Sequence, residues 1–194
     1  MAIVTTQNSV PIIEGGEGIG GSGMSTNDAE LLTEKPTPKP SISVREPLLS
    51  EILNKVHGAK TKAQKIKILQ EEDCLALRQI CQWSFNPKIE SELPSGTPPY
   101  MENDAPEGTE HTLLRTEGNS LWHFVKTNGK SADPNLQSTV RERMFIRLLE
   151  GLHKDEAKLL CVVKEKQLHR EYKGLSSQVV MEAFGWNEDF QEYK

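Results

Sequence analysis

The sequence predicts an all-α fold, a multi-helix bundle of about seven short helices preceded by a disordered or extended N-terminal tail. Apolar residues recur at helical spacing from residue 48 to residue 184. Helix-start signals precede several of those runs, and no stretch alternates apolar and polar residues strictly enough to read as a strand. No strong internal repeat is present.

Leu48, Leu49, Ile52, Leu53 and Val56 form the first stripe, which Gly58 ends. A capping box at Ser43, with Glu46 three residues on, opens it, and Pro47 falls in the first turn, where a missing N–H costs little. A second box, Thr61 to Gln64, opens a helix that turns Ala63, Ile66 and Leu69 to one face. Asp73 N-caps a third helix carrying Leu77, Ile80, Cys81 and Ser84, and Pro87 closes it. Leu114, Leu121 and Val125 place a fourth across 110–127, and Gly118 inside that stripe marks a close helix contact. Residues 128–135 read as a loop. Phe145, Leu148, Leu149 and Leu152 give a fifth helix across 138–152, and Leu159, Leu160 and Val163 a sixth across 154–169. Ser176 or Ser177 caps the seventh, which turns Val179, Val180, Ala183 and Phe184 inward before Gly185.

Three regions follow from this: a flexible Gly/Pro-rich tail at 1–42, a helical domain at 43–186 and an acidic–aromatic end at 187–194. The tail's "EGGEGIGGSG" satisfies GxGxxG spacing twice, but no helix follows to receive a phosphate, so it reads as linker. "LPSGTPPYMENDAPEGTEH" (93–111) interrupts the helices. Ile89, Leu93, Pro98, Pro99 and Tyr100 make it apolar enough to lie against the bundle, with Tyr100 largely buried.

A net charge of −5 argues against a bulk electrostatic grip on nucleic acid or anionic lipid. Cys74, Cys81 and Cys161 form no CxxC pair and read as buried, reduced thiols of a cytoplasmic protein. No apolar run has the length of a membrane span, and no basic-then-apolar leader opens the chain, so the expectation is a soluble protein without membrane contact. His57, His111, His123, His153 and His169 share no metal-ligand spacing, and no nucleophile accompanies them. His153 reads as a helix cap or a neighbour of Asp155 and Glu156. Glu102, Asp104, Glu107 and Glu110 read as solvated loop acids. No catalytic residue, metal site or cofactor is expected.

"AKTKAQKIKILQ", "LALRQICQWSFNPKI", "PPYMENDAPEGTEHTLL", "LWHFVK", "DPNL" and the run from "MFIRLLEGLHKDEAKLL" to "YKGLSSQVVMEAFGW" carry a likeness. Over residues 48–186 the chain resembles an uncharacterised family of small proteins from contractile-tailed bacteriophages, including those of marine cyanobacteria. The resemblance implies a phage origin, in the host cytoplasm or in the virion. It implies no activity and transfers no site residue.

The expected function is therefore non-enzymatic, contact with other phage or host proteins. Tyr100 and the end "FGWNEDFQEYK" supply the candidate surface, with Trp186, Phe190 and Tyr193 along one side if that end becomes helical on a partner. The rival reading is a nucleic-acid-binding accessory factor for replication or transcription. "VVKEKQLHREYKGLSSQVVMEAF" has the outline of a helix-turn-helix, in which Lys164, Lys166, Arg170 and Lys173 meet phosphates. Ser177, Gln178 and Met181 would then face the groove. Glu171, Glu182 and the following "NEDFQE" weigh against it.

Overall fold

The structure is a computed structural model of the chain, and it describes residues 45–104, 106 and 110–192. The chain divides between Ile42 and Ser43. The tail, the Ser43 cap, Glu107 and Tyr193 lie outside the described residues.

The fold is mostly helical, and a small sheet corrects the all-α expectation. In order come α1 (Leu49–Gly58), α2 (Lys62–Glu71), α3 (Leu75–Phe85), β1 (Ile89–Ser91) and α4 (Leu114–Glu117). A 3-10 helix (Gly118–Phe124), β2 (Val125–Thr127) and β3 (Lys130–Ser131) follow, then α5 (Ser138–Gly151), α6 (Lys154–Lys164), α7 (Leu168–Glu171) and α8 (Ser177–Phe184). The strands form one antiparallel sheet in the order β1-β2-β3, with Ile89 opposite Thr127 and Thr127 opposite Lys130. Asn128 and Gly129 turn the β2–β3 hairpin with φ of 51° and 75°. Two successive positive φ values are what a two-residue I′ turn demands, and Asn-Gly supplies them. That dipeptide stood inside the segment read as loop.

Other boundaries move for local reasons. α1 begins after Pro47, with Leu48 as N-cap and its N–H donating to Glu51 at 2.9 Å. The Thr61–Gln64 box forms as expected. Cys74, not Asp73, precedes α3, because Asp73 is taken up in a fork with Arg78 at 2.6–2.8 Å. The helix expected across 110–127 is one α-turn followed by the 3-10 helix. Gly118, Leu121 and Phe124 are buried there three residues apart, the period of a 3-10 helix, and Val125 passes into the sheet. A Cβ on Gly118 would lie 3.0 Å from the Ala76 backbone, so the close contact is with α3. α6 stops at Lys164 because Lys166 adopts φ 55°, which splits the expected sixth helix in two. Ser176 caps α8, accepting from the Val179 N–H, and Gly185 ends it at φ 64°.

One core joins α1, α3, α5, α6 and α8 with the 3-10 helix. Leu49, Ile52, Leu53, Leu77, Ile80, Leu149, Leu152 and Leu160 are wholly buried. Burial of that kind stabilises by about 1.5–3 kcal/mol per side chain. Some charged groups share the interior. Lys65 joins the expected Leu69 as a buried residue of α2 while Ala63 is exposed, and the Lys65 ammonium donates to the Val56 carbonyl at 2.7 Å and to the Lys173 carbonyl at 3.2 Å. The positive charge thus sits on the carbonyl end of α1, where the helix dipole favours it.

The segment after β1 hugs the body as expected. Leu93 is buried, the Lys164 ammonium donates to the Pro94 carbonyl at 2.7 Å, and the Gly96 N–H donates to Glu165 at 2.9 Å. Tyr100 is half-buried against the core, so it contributes less apolar cover than expected.

Candidate docking cleft

α3 builds the site from its outward side. Ala76, Leu77, Ile80 and Cys81 face the core, which leaves Leu75, Gln79 and Gln82 on a second stripe at i, i+4 and i+7. Leu75 is 51% exposed. Beside Gln79 and Gln82 lies a cleft of about 170 Å³, walled by Trp83, Ile89, Leu121, Trp122 and Val125. Gln79, Gln82 and Ile89 also line a wider groove that runs toward Arg78 and Phe190. The 3-10 helix explains the cleft's lip. Leu121 and Phe124 turn inward one turn apart, and Trp122 between them is left 43% exposed.

Trp122 is held from behind. Its ring lies on His123 with centroids 3.8 Å apart, and His123 Nδ1 is 2.8 Å from an Asp133 carboxylate oxygen. Arg141 anchors both residues, donating to the His123 carbonyl at 2.7 Å and the Asp133 carbonyl at 3.0 Å. The same guanidinium pairs with Glu92 at 2.8 Å, and Ser131 donates to Glu92 at 2.8 Å. A buried polar network thus ties α5 to the hairpin and fixes the aromatic lip.

Two of the lining residues also hold a buried polar atom without a partner among the described residues, Trp83 Nε1 and Gln79 Oε1, both closed off from solvent. Trp83 is 2% exposed, and its ring stacks on Phe124. In the wider groove Lys88 pairs with Asp189 at 2.5 Å and Arg78 with Asp73 and Glu192, and on β2 Lys126 pairs with Glu90 at 2.8 Å. The hydrogen bond from Lys126 holds the Glu90 carboxyl below its usual range, and Asp73 raises the Arg78 guanidinium further.

A second cavity of about 360 Å³ lies under the arch of residues 93–99, against Phe145, Ile146 and Lys164. No group of three or more His, Cys, Asp or Glu among the described residues is placed to hold a metal ion. Burial pushes the Cys81 and Cys161 thiols up, away from the thiolate form that reacts. His153 caps α6, its Nδ1 accepting from the Asp155 N–H at 3.3 Å. Among the described residues no helix is long and apolar enough to cross a membrane.

The residues expected to bind partners fall elsewhere. Trp186 and Phe190 are 4% and 6% exposed, with ring centroids 6.0 Å apart, so the chain itself covers the face expected to meet a partner. Asn187 makes this happen: its side-chain oxygen accepts from the Asp189 and Gln191 N–H groups, and the turn folds Phe190 down. The body therefore continues through residue 192, into the end first set apart as 187–194. Of the hairpin cations, Lys164 is buried against Pro94 and Glu165, and Lys166 donates to the Asn86 carbonyl at 2.9 Å. Both are drawn into the fold by these contacts. Arg170, Lys173 and Gln178 are exposed, but α7 is a single turn and Glu182 on α8 pairs with Lys62 at 2.5 Å. Sequence reasoning missed Trp122, Gln79 and Trp83. The available signal was "LWHF", where Trp122 stands off the Leu114–Leu121 stripe.

Fold and cleft together define a small, mostly helical protein with a side-chain-sized apolar cleft at its surface. The chain belongs to a family described as Family of unknown function (DUF6433), which matches residues 52–170. That stretch contains every residue lining the cleft, whereas α8 and the C-terminal turn follow it. No curated protein and no solved structure matches the chain.

Proposed function

We propose that this chain is a non-enzymatic phage protein that works through protein–protein contact, with the cleft beneath Trp122 as its docking point. The observation that carries the reading is a partly exposed tryptophan, braced by His123, over an apolar cleft. Aromatic anchors beside a well-packed pocket dominate protein contacts. The phage origin rests on the sequence resemblance, and it puts the protein in the host cytoplasm or in the virion. Phage or host proteins are the partners.

Nucleic-acid binding through α7 and α8 is the alternative, supported by exposed Arg170, Lys173 and Gln178. A duplex DNA titration at physiological salt separates the two. Binding weaker than about 1 μM is expected, the range of non-specific association. Tighter binding that is lost in Arg170→Ala and Lys173→Ala would replace the docking reading with the alternative.

A further inference from the structure

We infer that residues 94–99 form a strap latched shut over a cavity by Lys164 and Glu165, and that the strap opens as one unit while the body stays folded. This is independent of the docking cleft, whose lining residues it does not share. The sequence sets the strap apart first. Pro94, Pro98 and Pro99 have no N–H to donate, and Ser95 and Thr97 are exposed, which leaves Gly96. Gly96 adopts φ 86°, a conformation other residues rarely take, and there its N–H reaches a Glu165 oxygen at 2.9 Å. The second hold is the Lys164 ammonium on the Pro94 carbonyl at 2.7 Å. Among the described residues, these are the two hydrogen bonds between residues 94–99 and the body.

Both holds end on consecutive residues at one helix terminus, and their side chains pair with each other. Glu165 is the C-cap of α6, at the negative end of the helix dipole, where a carboxylate is disfavoured unless positive groups meet it. Lys164 and the Gly96 N–H meet it there, and the hydrogen bond from Lys164 holds the Glu165 carboxyl below its usual range. Losing one hold therefore weakens the other, which makes the two a single latch. Beneath the strap lies the cavity of about 360 Å³, floored by Phe145, Ile146 and Lys164. A void gives the strap no dispersion contacts on that side, and segments with few buried contacts and exposed hydrogen bonds open at low free energy. When the strap lifts, water takes the place of the Pro94 carbonyl on the Lys164 ammonium, so no charge is stranded. The flanks are firmer. The Glu92 N–H donates to the Phe124 carbonyl at 2.9 Å, Leu93 is buried, and Tyr100 packs against the core. They serve as hinges, and opening brings water to Phe145, which is 1% exposed when the strap is shut.

Native-state hydrogen exchange on the nitrogen-15-labelled full chain tests this, with the Gly96 amide reporting the strap and the Leu160 amide, inside α6, reporting the body. Gly96 is expected to be protected relative to Ser95 and Thr97, yet to exchange at least about tenfold faster than Leu160. Val180→Ala, a core change on α8, lowers the stability of the body. It should speed Leu160 and leave Gly96 unchanged. Lys164→Met keeps the acceptor of the Gly96 N–H, so any change at Gly96 reports the coupling between the two holds. Gly96 should then exchange about tenfold faster, the equivalent of one hydrogen bond to a charged group. Glu165 is partly exposed, so Glu165→Gln, which also keeps an acceptor for Gly96, repeats the test if Lys164→Met fails to fold. Gly96 exchange that rises with Leu160 in Val180→Ala would overturn the inference, because the strap would open only with the body. Unchanged Gly96 exchange in the latch variants would also overturn it, as would a wild-type Gly96 no better protected than Ser95 and Thr97.

Discussion

Glu156→Ala is expected to cost the fold about 2–6 kcal/mol, since it strands two buried N–H donors at about 1–3 kcal/mol each. Domains of this kind are stable by only about 5–15 kcal/mol. Glu156 is 1% exposed in the first turn of α6. Its two oxygens accept from the Leu49 N–H at 3.0 Å and the Leu114 N–H at 2.9 Å, the first residues of α1 and α4. One carboxylate therefore closes two helix N-termini at once, where negative charge is favoured. Urea denaturation should show a large fall in midpoint for alanine and a smaller one for Glu156→Gln, which keeps one carbonyl acceptor. Burial pushes the Glu156 carboxyl up, outweighing the lowering by its two backbone hydrogen bonds. With the folded value raised, its titration favours the fold fully below the ordinary carboxylate range, about pH 4.3. That contribution is lost as pH climbs through the raised value. The stability gap between wild type and Glu156→Gln should accordingly narrow from about pH 4 to neutrality. A widening gap would mean that the backbone hydrogen bonds, and not burial, dominate.

Arg141→Ala should be of comparable severity, about 3–5 kcal/mol, because it leaves the Glu92 carboxylate buried without its partner. The two side chains are 7% and 14% exposed. The damage is expected to reach the cleft, because Arg141 holds the backbone at His123 and Asp133, and these hold Trp122. Trp122 emission should shift to longer wavelength in this variant. Adding Glu92→Gln removes the stranded charge, so the double variant should recover part of the stability. Absence of any recovery would show that the loss comes from packing around the Arg141 stem.

Much of this architecture was legible as helical period. α5 and α8 and the Thr61–Gln64 box follow from spacing and caps, because stripes that face one core need no knowledge of their neighbours. The sheet was illegible by that route: its strands hold two or three residues, too few for an alternation, and the Asn128–Gly129 turn was its only local sign. The buried charges Arg141 and Glu156 went unread, although their positions mark them. Arg141 precedes Phe145 by four residues, and Glu156 precedes Leu160 by four, so both stand on apolar stripes. Trp186 and Phe190 were read as free surface because the turn that buries them depends on one asparagine side chain. The cleft could not be read from sequence, since it gathers α3, β1, β2 and the 3-10 helix.

The most direct measurement is the affinity of a purified phage or host partner for the full chain, for Trp122→Ala and for the pair Arg170→Ala and Lys173→Ala. Trp122 is partly exposed, so its truncation should leave the melting temperature nearly unchanged. If the cleft is the docking point, Trp122→Ala weakens binding by about thirtyfold or more, the equivalent of about 2 kcal/mol at a hot spot, and the cation variants change it less than about threefold. Unchanged affinity in Trp122→Ala, with binding lost in the cation variants, would contradict the account.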